Sequence, residues 1–330
     1  MPSIASRIAA ANVKIYSTVT FRPYFPVKYQ RMSFNRFTPK LVPSPKGVSR
    51  EPVDIDGMPA AWLVPEGADE DRAILYLHGG AFVIGGVESH WKMVGRLADA
   101  AACRALIIDY RLAPEHPFPA GLDDCLAAYE WLLHSGIAPE KLIVAGDSAG
   151  GNLTLALLIA LRDAGKPLPA GAVAISPATD LTFAGESRIT RAQLDPFFRN
   201  LGPETTALLK GYTGDHDPRH PLISPLYGDL HGLPPLLLHV GDHEALLDGV
   251  VGFGERAAAV GVDVQMVVWP GMFHVFQIFA PVLPEARQAN AQIAAFIRSR
   301  LDDSSQGPVA VSVVGDELVQ SGEGIIQHGG

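Results

Sequence analysis

At 330 residues, with 48% hydrophobic and 18% charged side chains, the chain can bury a large core as one domain, and its apolar content excludes a disordered chain. A net charge of −9 argues against nucleic acid as a partner, and no basic cluster stands out along the chain. The two cysteines, Cys103 and Cys125, imply no disulfide framework.

In chain order, residues 1 to about 48 carry Phe21, Tyr24, Phe25, Tyr29, Phe34 and Phe37 among prolines and show no regular alternation. Arg7 and Lys14 interrupt any export-type apolar core, so a cytoplasmic protein is expected. Strand-like runs follow at Val53–Ile55, Ala60–Val64, Ala73–Leu77, Ala105–Ile108, Leu142–Ala145, Gly171–Ile175, Leu236–Val240 and Val264–Trp269. Helical patterns separate most of them, at Ser89–Ala102, Ala120–Ser135, Asn152–Ala164, Ala245–Val260 and Pro284–Leu301. This alternation predicts an α/β fold with a mostly parallel eight-stranded sheet covered by helices on both faces. Asp180 to about Gly228 is a long excursion between two core strands, and residues 303–330 form a polar tail with Val309–Val314 as a short strand. The uncharged stretch Ser148–Leu161 is too short to span a bilayer, so no stable membrane insertion is expected.

The chemistry concentrates in four places. Gly146-Asp147-Ser148-Ala149-Gly150-Gly151 joins an apolar strand to a helix, and a serine between glycines at such a turn can adopt a strained conformation with its hydroxyl clear of the sheet. A strand running into His78-Gly79-Gly80 offers the N–H groups of Gly79 and Gly80, with that of Ala149, as donors to a developing oxyanion. His78 itself reads as a structural hydrogen-bonder. His274, on a loop after the last strand, fits the base in the chain order serine, acid, histidine. For the acid, the segment after Val240 offers Asp242, Glu244 and Asp248.

Several patterns compete and lose. Gly252-Phe253-Gly254-Glu255-Arg256-Ala257 matches a dinucleotide fingerprint but falls inside a helical pattern. Asp215, His216, Asp217 and His220, and the pair His239 and His243, lack zinc-type spacing, so neither a metal nor an organic cofactor is expected. Arg111 and Glu115 are expected to pair, and Asp147 to hold the serine turn by hydrogen bonding.

Taken together, His78-Gly79-Gly80, the run Asp109-Tyr110-Arg111-Leu112-Ala113-Pro114-Glu115 continuing to Ala120, Gly146-Asp147-Ser148-Ala149-Gly150-Gly151-Asn152 and Gly271-Met272-Phe273-His274 resemble the hormone-sensitive-lipase-like family of bacterial esterases. The resemblance spans roughly residues 50 to 300. It implies an α/β-hydrolase fold and a serine carboxylesterase acting on short- to medium-chain esters. Its alternatives are a lipase, lactonase or amidase with the same triad, or a non-catalytic ligand-binding relative. Glu244-Ala245-Leu246-Leu247-Asp248 departs from the family's Asp-Pro-Leu-x-Asp, yet the thirty-residue separation of Glu244 from His274 matches, which favours Glu244 over Asp242 and Asp248. The resemblance also implies that residues 1–48 and about 180–228 cap a catalytic domain of residues 49–302, with 303–330 as a tail. It places Val262–Trp269 at the sheet edge, where two copies can pair as a homodimer; the alternative is a monomer whose edge the tail covers. The expected partner is a small-molecule ester.

Overall fold

The computed structural model describes residues 3, 5, 6, 8–11, 13, 25–198 and 209–302; Phe21, Tyr24 and the run Val309–Val314 lie outside them. Eight strands form one sheet: β1 (Val48–Ile55), β2 (Met58–Pro65), β3 (Asp69–Leu77), β4 (Cys103–Ile108), β5 (Leu142–Asp147), β6 (Gly171–Ile175), β7 (Leu236–Gly241) and β8 (Val264–Trp269). Their spatial order is β1-β2-β4-β3-β5-β6-β7-β8. β1 and β2 pair antiparallel, as do β2 and β4; the other pairs are parallel.

The first hairpin turns at Asp56-Gly57, both at positive φ (50° and 92°), the geometry that matches strand twist in a two-residue turn. β1 begins five residues before the expected Val53, because its outer half, Ser49-Arg50-Glu51, is exposed and carries no apolar alternation to read. The inner strands are buried on both faces. Along β3, Ala73, Leu75 and Leu77 enter one core while Ile74 and Tyr76 enter the other, the period-2 signature of a strand.

Helices cover both faces. On one lie α2 (Val87–Ala101) and α7 (Pro284–Asp302); on the other lie α3 (Ala120–His134), α4 (Ala149–Asp163) and α6 (Leu247–Ala259). α1 (Val27–Phe37) precedes the sheet, and the four-residue α5 (Ser187–Thr190) lies in the excursion between β6 and β7. Asn152, in the first turn of α4, donates to the carbonyls of Ala178 and Ile223 at 2.6 and 2.8 Å, fixing both roots of that excursion to the same helix. Gly252–Ala257 lies within α6, as its helical pattern predicts. Among the described residues no helix is long and apolar enough to cross a membrane. Cys103 and Cys125 are buried free thiols.

Candidate active site

The elbow is built by close approach. β5 ends at Asp147 and α4 starts at Ala149, leaving Ser148 between them at φ 54° and ψ −115°. A non-glycine residue holds such a conformation only where its surroundings impose it. Here the Ser148 N–H donates to the Ile175 carbonyl at 2.8 Å, and the Ser148 carbonyl accepts from Ala178 at 3.2 Å. A Cβ on Gly150 would sit 1.9 Å from the Leu77 carbonyl oxygen, so any side chain there would drive α4 off β3.

The loop after β8 brings His274 to this serine. His274 Nε2 lies 2.9 Å from Ser148 Oγ, and His274 Nδ1 lies 2.9 Å from Glu244 Oε2. With a carboxylate on Nδ1, that nitrogen carries the proton and Nε2 is left to accept from the serine hydroxyl. Glu244 is fully buried. Its second oxygen, Oε1, accepts from the Gly241 N–H at 2.6 Å and from the Ser176 hydroxyl at 2.7 Å, so both carboxylate oxygens are held. Ser176 Oγ also accepts from the Val275 N–H at 3.2 Å, joining the end of β6 to the histidine loop.

The other two acids are engaged elsewhere. Asp242 Oδ1 accepts from the Gly271 N–H at 2.6 Å and ties the two loops together, while Asp248 Oδ2 accepts from Ser187 at 2.8 Å and anchors α5. A fourth carboxylate, which nothing in the sequence singles out, comes from the excursion. Asp195 is fully buried and accepts from the Phe197 N–H at 3.0 Å and the Ala245 N–H at 3.2 Å. Burial pushes its carboxyl up to about 7, against the opposing pull of the His274 charge. The ring edges of Phe197 and Phe198 meet His274 at centroid distances of 5.8 and 4.7 Å. Burial alone would lower the His274 imidazole. The Glu244 hydrogen bond and the charges of Glu244, Asp195 and Asp147 outweigh it and hold the ring above its ordinary value.

The turn after β3 corrects one expectation. The Gly79 N–H is committed to Asp147 Oδ1 at 3.1 Å, and a Cβ on Gly79 would lie 2.1 Å from Asp147 Oδ2. Gly79 is therefore a glycine because Asp147 presses against it, and its N–H is not free to meet an oxyanion. Among the described residues no acceptor is bonded to the N–H of Gly80 or Ala81, both at positive φ (128° and 54°). The Ala149 N–H opens α4, where the first-turn amides lack intrahelical partners.

Asp147 thus holds the glycine turn from the end of β5, and among the described residues its carboxylate bonds no other residue of the elbow, unlike the expected role within the serine turn. It is buried, accepts from the Tyr76 hydroxyl at 2.8 Å, and lies 3.5 Å from His90 Nε2. Burial would raise its carboxyl, but the His90 charge and the hydrogen bonds from His90 and Tyr76 bring it below the usual range. His78 stacks on Tyr110 at 4.1 Å with 12° between rings, and its Nδ1 meets the Gly79 carbonyl at 2.9 Å. Burial pushes it down to about 3, so it is neutral and serves the turn structurally, as read from the sequence.

The expected Arg111–Glu115 pair does not form. Arg111 instead pairs with Asp124 at 2.8 Å, while Glu115 receives Arg31 of α1 at 2.6 Å. Arg31 also donates to the carbonyls of Val83 at 2.6 Å and Ala113 at 2.7 Å, reaching the glycine turn from the N-terminal segment. Of the residues weighed as metal ligands, His239 is buried with Nδ1 accepting from Trp269 Nε1 at 3.3 Å, and Asp215 pairs with Lys210 at 3.5 Å. Among the described residues no group of three or more His, Cys, Asp or Glu is placed to hold a metal ion.

Residues 74–278 match a family described as the alpha/beta hydrolase fold. An acetyl-hydrolase of Streptomyces hygroscopicus is 45% identical over 240 residues, covering 73% of this chain and 79% of that protein. The carboxylesterase/phospholipase LipF of Mycobacterium tuberculosis is 37% identical over 320 residues, covering 93% and 85%. The crystal structure of an esterase from the bacterial hormone-sensitive lipase family superposes with a TM-score of 0.85 at 41% identity, covering 91% of this chain and 99% of that one.

Proposed function

Because the chain belongs to the alpha/beta-hydrolase family, among its bacterial hormone-sensitive-lipase-like carboxylic ester hydrolases, we propose that it cleaves short- to medium-chain esters through an acyl-enzyme on Ser148. The observation that carries this reading is the unbroken relay Ser148 Oγ, His274 Nε2, His274 Nδ1, Glu244 Oε2, with 2.9 Å at each hydrogen bond. His274 takes the serine proton as Oγ attacks the ester carbonyl and returns it to the leaving alcohol. Glu244 keeps the imidazole in the required tautomer and stabilises the imidazolium. Water, activated by the same histidine, then releases the acid. The oxyanion is held by the N–H groups of Gly80 and Ala149, with that of Ala81 in place of Gly79.

Two observations support a small acyl group. Phe197 and Phe198 close over the imidazole, and an acetyl-hydrolase stands among the relatives. Residues 1–48 and 180–228 act together as the cap, the first through the inward face of α1, where Arg31 reaches the glycine turn, and the second through Asp195 and the two phenylalanines beside His274. The outer edge of β8, which among the described residues pairs with β7 alone, supports a homodimer formed strand to strand.

The reading is tested by reacting the full chain with an organophosphate that labels activated serines, together with turnover of p-nitrophenyl esters from acetate to decanoate. Stoichiometric labelling of Ser148 with matching loss of turnover, absent in Ser148→Ala, is expected, with kcat/KM highest for the shorter acyl chains. Turnover surviving full labelling, or Ser148→Ala retaining a tenth of the activity, overturns it.

A further inference from the structure

The net charge of −9 conceals a division along the chain. The first fifty residues hold nine of the 26 Lys and Arg and none of the 35 Asp and Glu. Because the nine are spaced singly, they form no cluster in the sequence. The structure gathers several of them on one helix. Along α1, Val27, Arg31 and Phe34, with Thr38 just beyond, turn inward at intervals of four, three and four. Phe25, Tyr29, Met32 and Arg36 turn outward at the same intervals, flanked by exposed Lys28, Phe37 and Lys40.

Four of these outward residues are large and apolar, with Phe25, Tyr29, Met32 and Phe37 exposed by 49%, 57%, 59% and 46%. Scattered exposed apolar residues are ordinary; Tyr29 and Met32 on one helical face, with Phe25 just before the helix, Phe37 on the flank and cations between them, are not. Among the described residues Lys28, Arg36 and Lys40 have no acidic partner, whereas inward-facing Arg31 does. Arg31 also fixes the rotation of the helix. Its bonds to Glu115 and to the carbonyls of Val83 and Ala113, with Phe34 buried at 6.1 Å from the His90 ring, prevent the outer stripe from rolling inward.

We propose that the outer face of α1 is a peripheral docking surface for anionic lipid. Phe25, Tyr29, Met32 and Phe37 enter the boundary between headgroups and acyl chains, while Lys28, Arg36 and Lys40 meet the lipid phosphates. The chemistry selects this partner. Cations alone would suit any polyanion, but the apolar stripe needs an apolar medium beneath the charge, which a lipid surface supplies along the whole helix. Electrostatic screening over about 8 Å at physiological ionic strength keeps the acidic body of the protein from cancelling the attraction. Since Arg31 touches Val83, docking holds the glycine turn about one helix diameter, roughly 10 Å, from the lipid.

The test uses the full chain and sedimentation with vesicles of phosphatidylcholine alone or mixed equally with phosphatidylglycerol. Two variants are compared with it, Lys28→Gln/Arg36→Gln/Lys40→Gln and Tyr29→Ser/Met32→Ser. Binding is expected to the mixed vesicles and to weaken with added salt. Each cation at such a surface contributes about fivefold to partitioning, so the triple variant should lose about a hundredfold. The double variant should weaken binding at fixed charge, and both variants should hydrolyse dissolved p-nitrophenyl acetate at the parental rate. Because binding is read without catalysis, its failure is distinct from failure of the esterase reading. Failure of the parent to sediment with the mixed vesicles, or a triple variant within threefold of the parent, overturns the proposal. So does either of two substitutes for vesicle binding: a dimer abolished by the variants in light scattering, or salt-dependent binding of single-stranded DNA.

Discussion

Glu244→Gln is the sharpest probe of the relay because the hydrogen bonds around the carboxylate determine how an amide would sit. Oε1 accepts from the Gly241 N–H at 2.6 Å, a backbone donor that cannot turn away. A glutamine must therefore place its carbonyl oxygen toward Gly241 and its NH2 toward His274 Nδ1. An NH2 group facing Nδ1 makes that nitrogen an acceptor and moves the ring proton to Nε2. The nitrogen 2.9 Å from Ser148 Oγ then cannot take the serine proton. Loss of the correct tautomer with geometry intact costs about 10⁴ in kcat, or about 5.5 kcal/mol of barrier. Asp242→Asn serves as control. Its side chain bonds the Gly271 N–H at 2.6 Å and an asparagine oxygen keeps that bond, so kcat should stay within about tenfold. The assay is steady-state hydrolysis of p-nitrophenyl acetate at pH 8, with thermal melts to show that both variants fold. If Glu244→Gln keeps a tenth of parental kcat, or if Asp242→Asn falls as far, the assignment of the acid is wrong.

Other outcomes follow from the same geometry. Ester turnover requires neutral His274, and its surroundings raise the imidazole above 6.5, so kcat/KM should fall with acid around a midpoint above pH 6.5. Asp195→Asn removes a carboxyl whose ionised fraction stabilises the imidazolium and should move that midpoint down; an upward shift in the pH–rate profile refutes the coupling. Gly79→Ala places a Cβ 2.1 Å from Asp147 Oδ2 and should lower kcat by about 10² or more by displacing the oxyanion donors beside it. A variant within threefold of the parent removes the role given to that contact. Light scattering of the full chain at micromolar concentration should report a dimer, weakened by Gln265→Lys on the β8 edge; a monodisperse monomer refutes strand pairing.

The sequence exposed most where geometry constrains residue type most tightly. A strained serine with a Leu77 carbonyl 1.9 Å from the Cβ position of Gly150 permits little but glycine, so the elbow was legible as a motif. The strand and helix periods likewise put all eight strands in place, apart from the exposed starts of β1 and β3. What stayed hidden depends on direction or on distant packing. Two consecutive glycines mark a turn without revealing that the first N–H points at Asp147, 68 residues away. Ser176 and Asp195 are solitary polar residues whose importance comes from elements that meet only in the folded chain. Arg111 and Glu115 lie four residues apart on a loop rather than a helix, where spacing does not imply contact, and each found a partner on a helix instead.

The bond between Asp147 and Gly79 has a bearing on how accurately the molecule must be made. The glycine turn does not take its position only from the strand that leads into it. It is gauged against Asp147, the residue adjoining the nucleophile, by one hydrogen bond and one steric stop. Small displacements of β3 relative to β5 are therefore not passed on in full to the gap between the attacking oxygen and the amides opposite it. The sheet can tolerate imprecision elsewhere because the alignment that matters is measured locally, from one jaw of the site to the other.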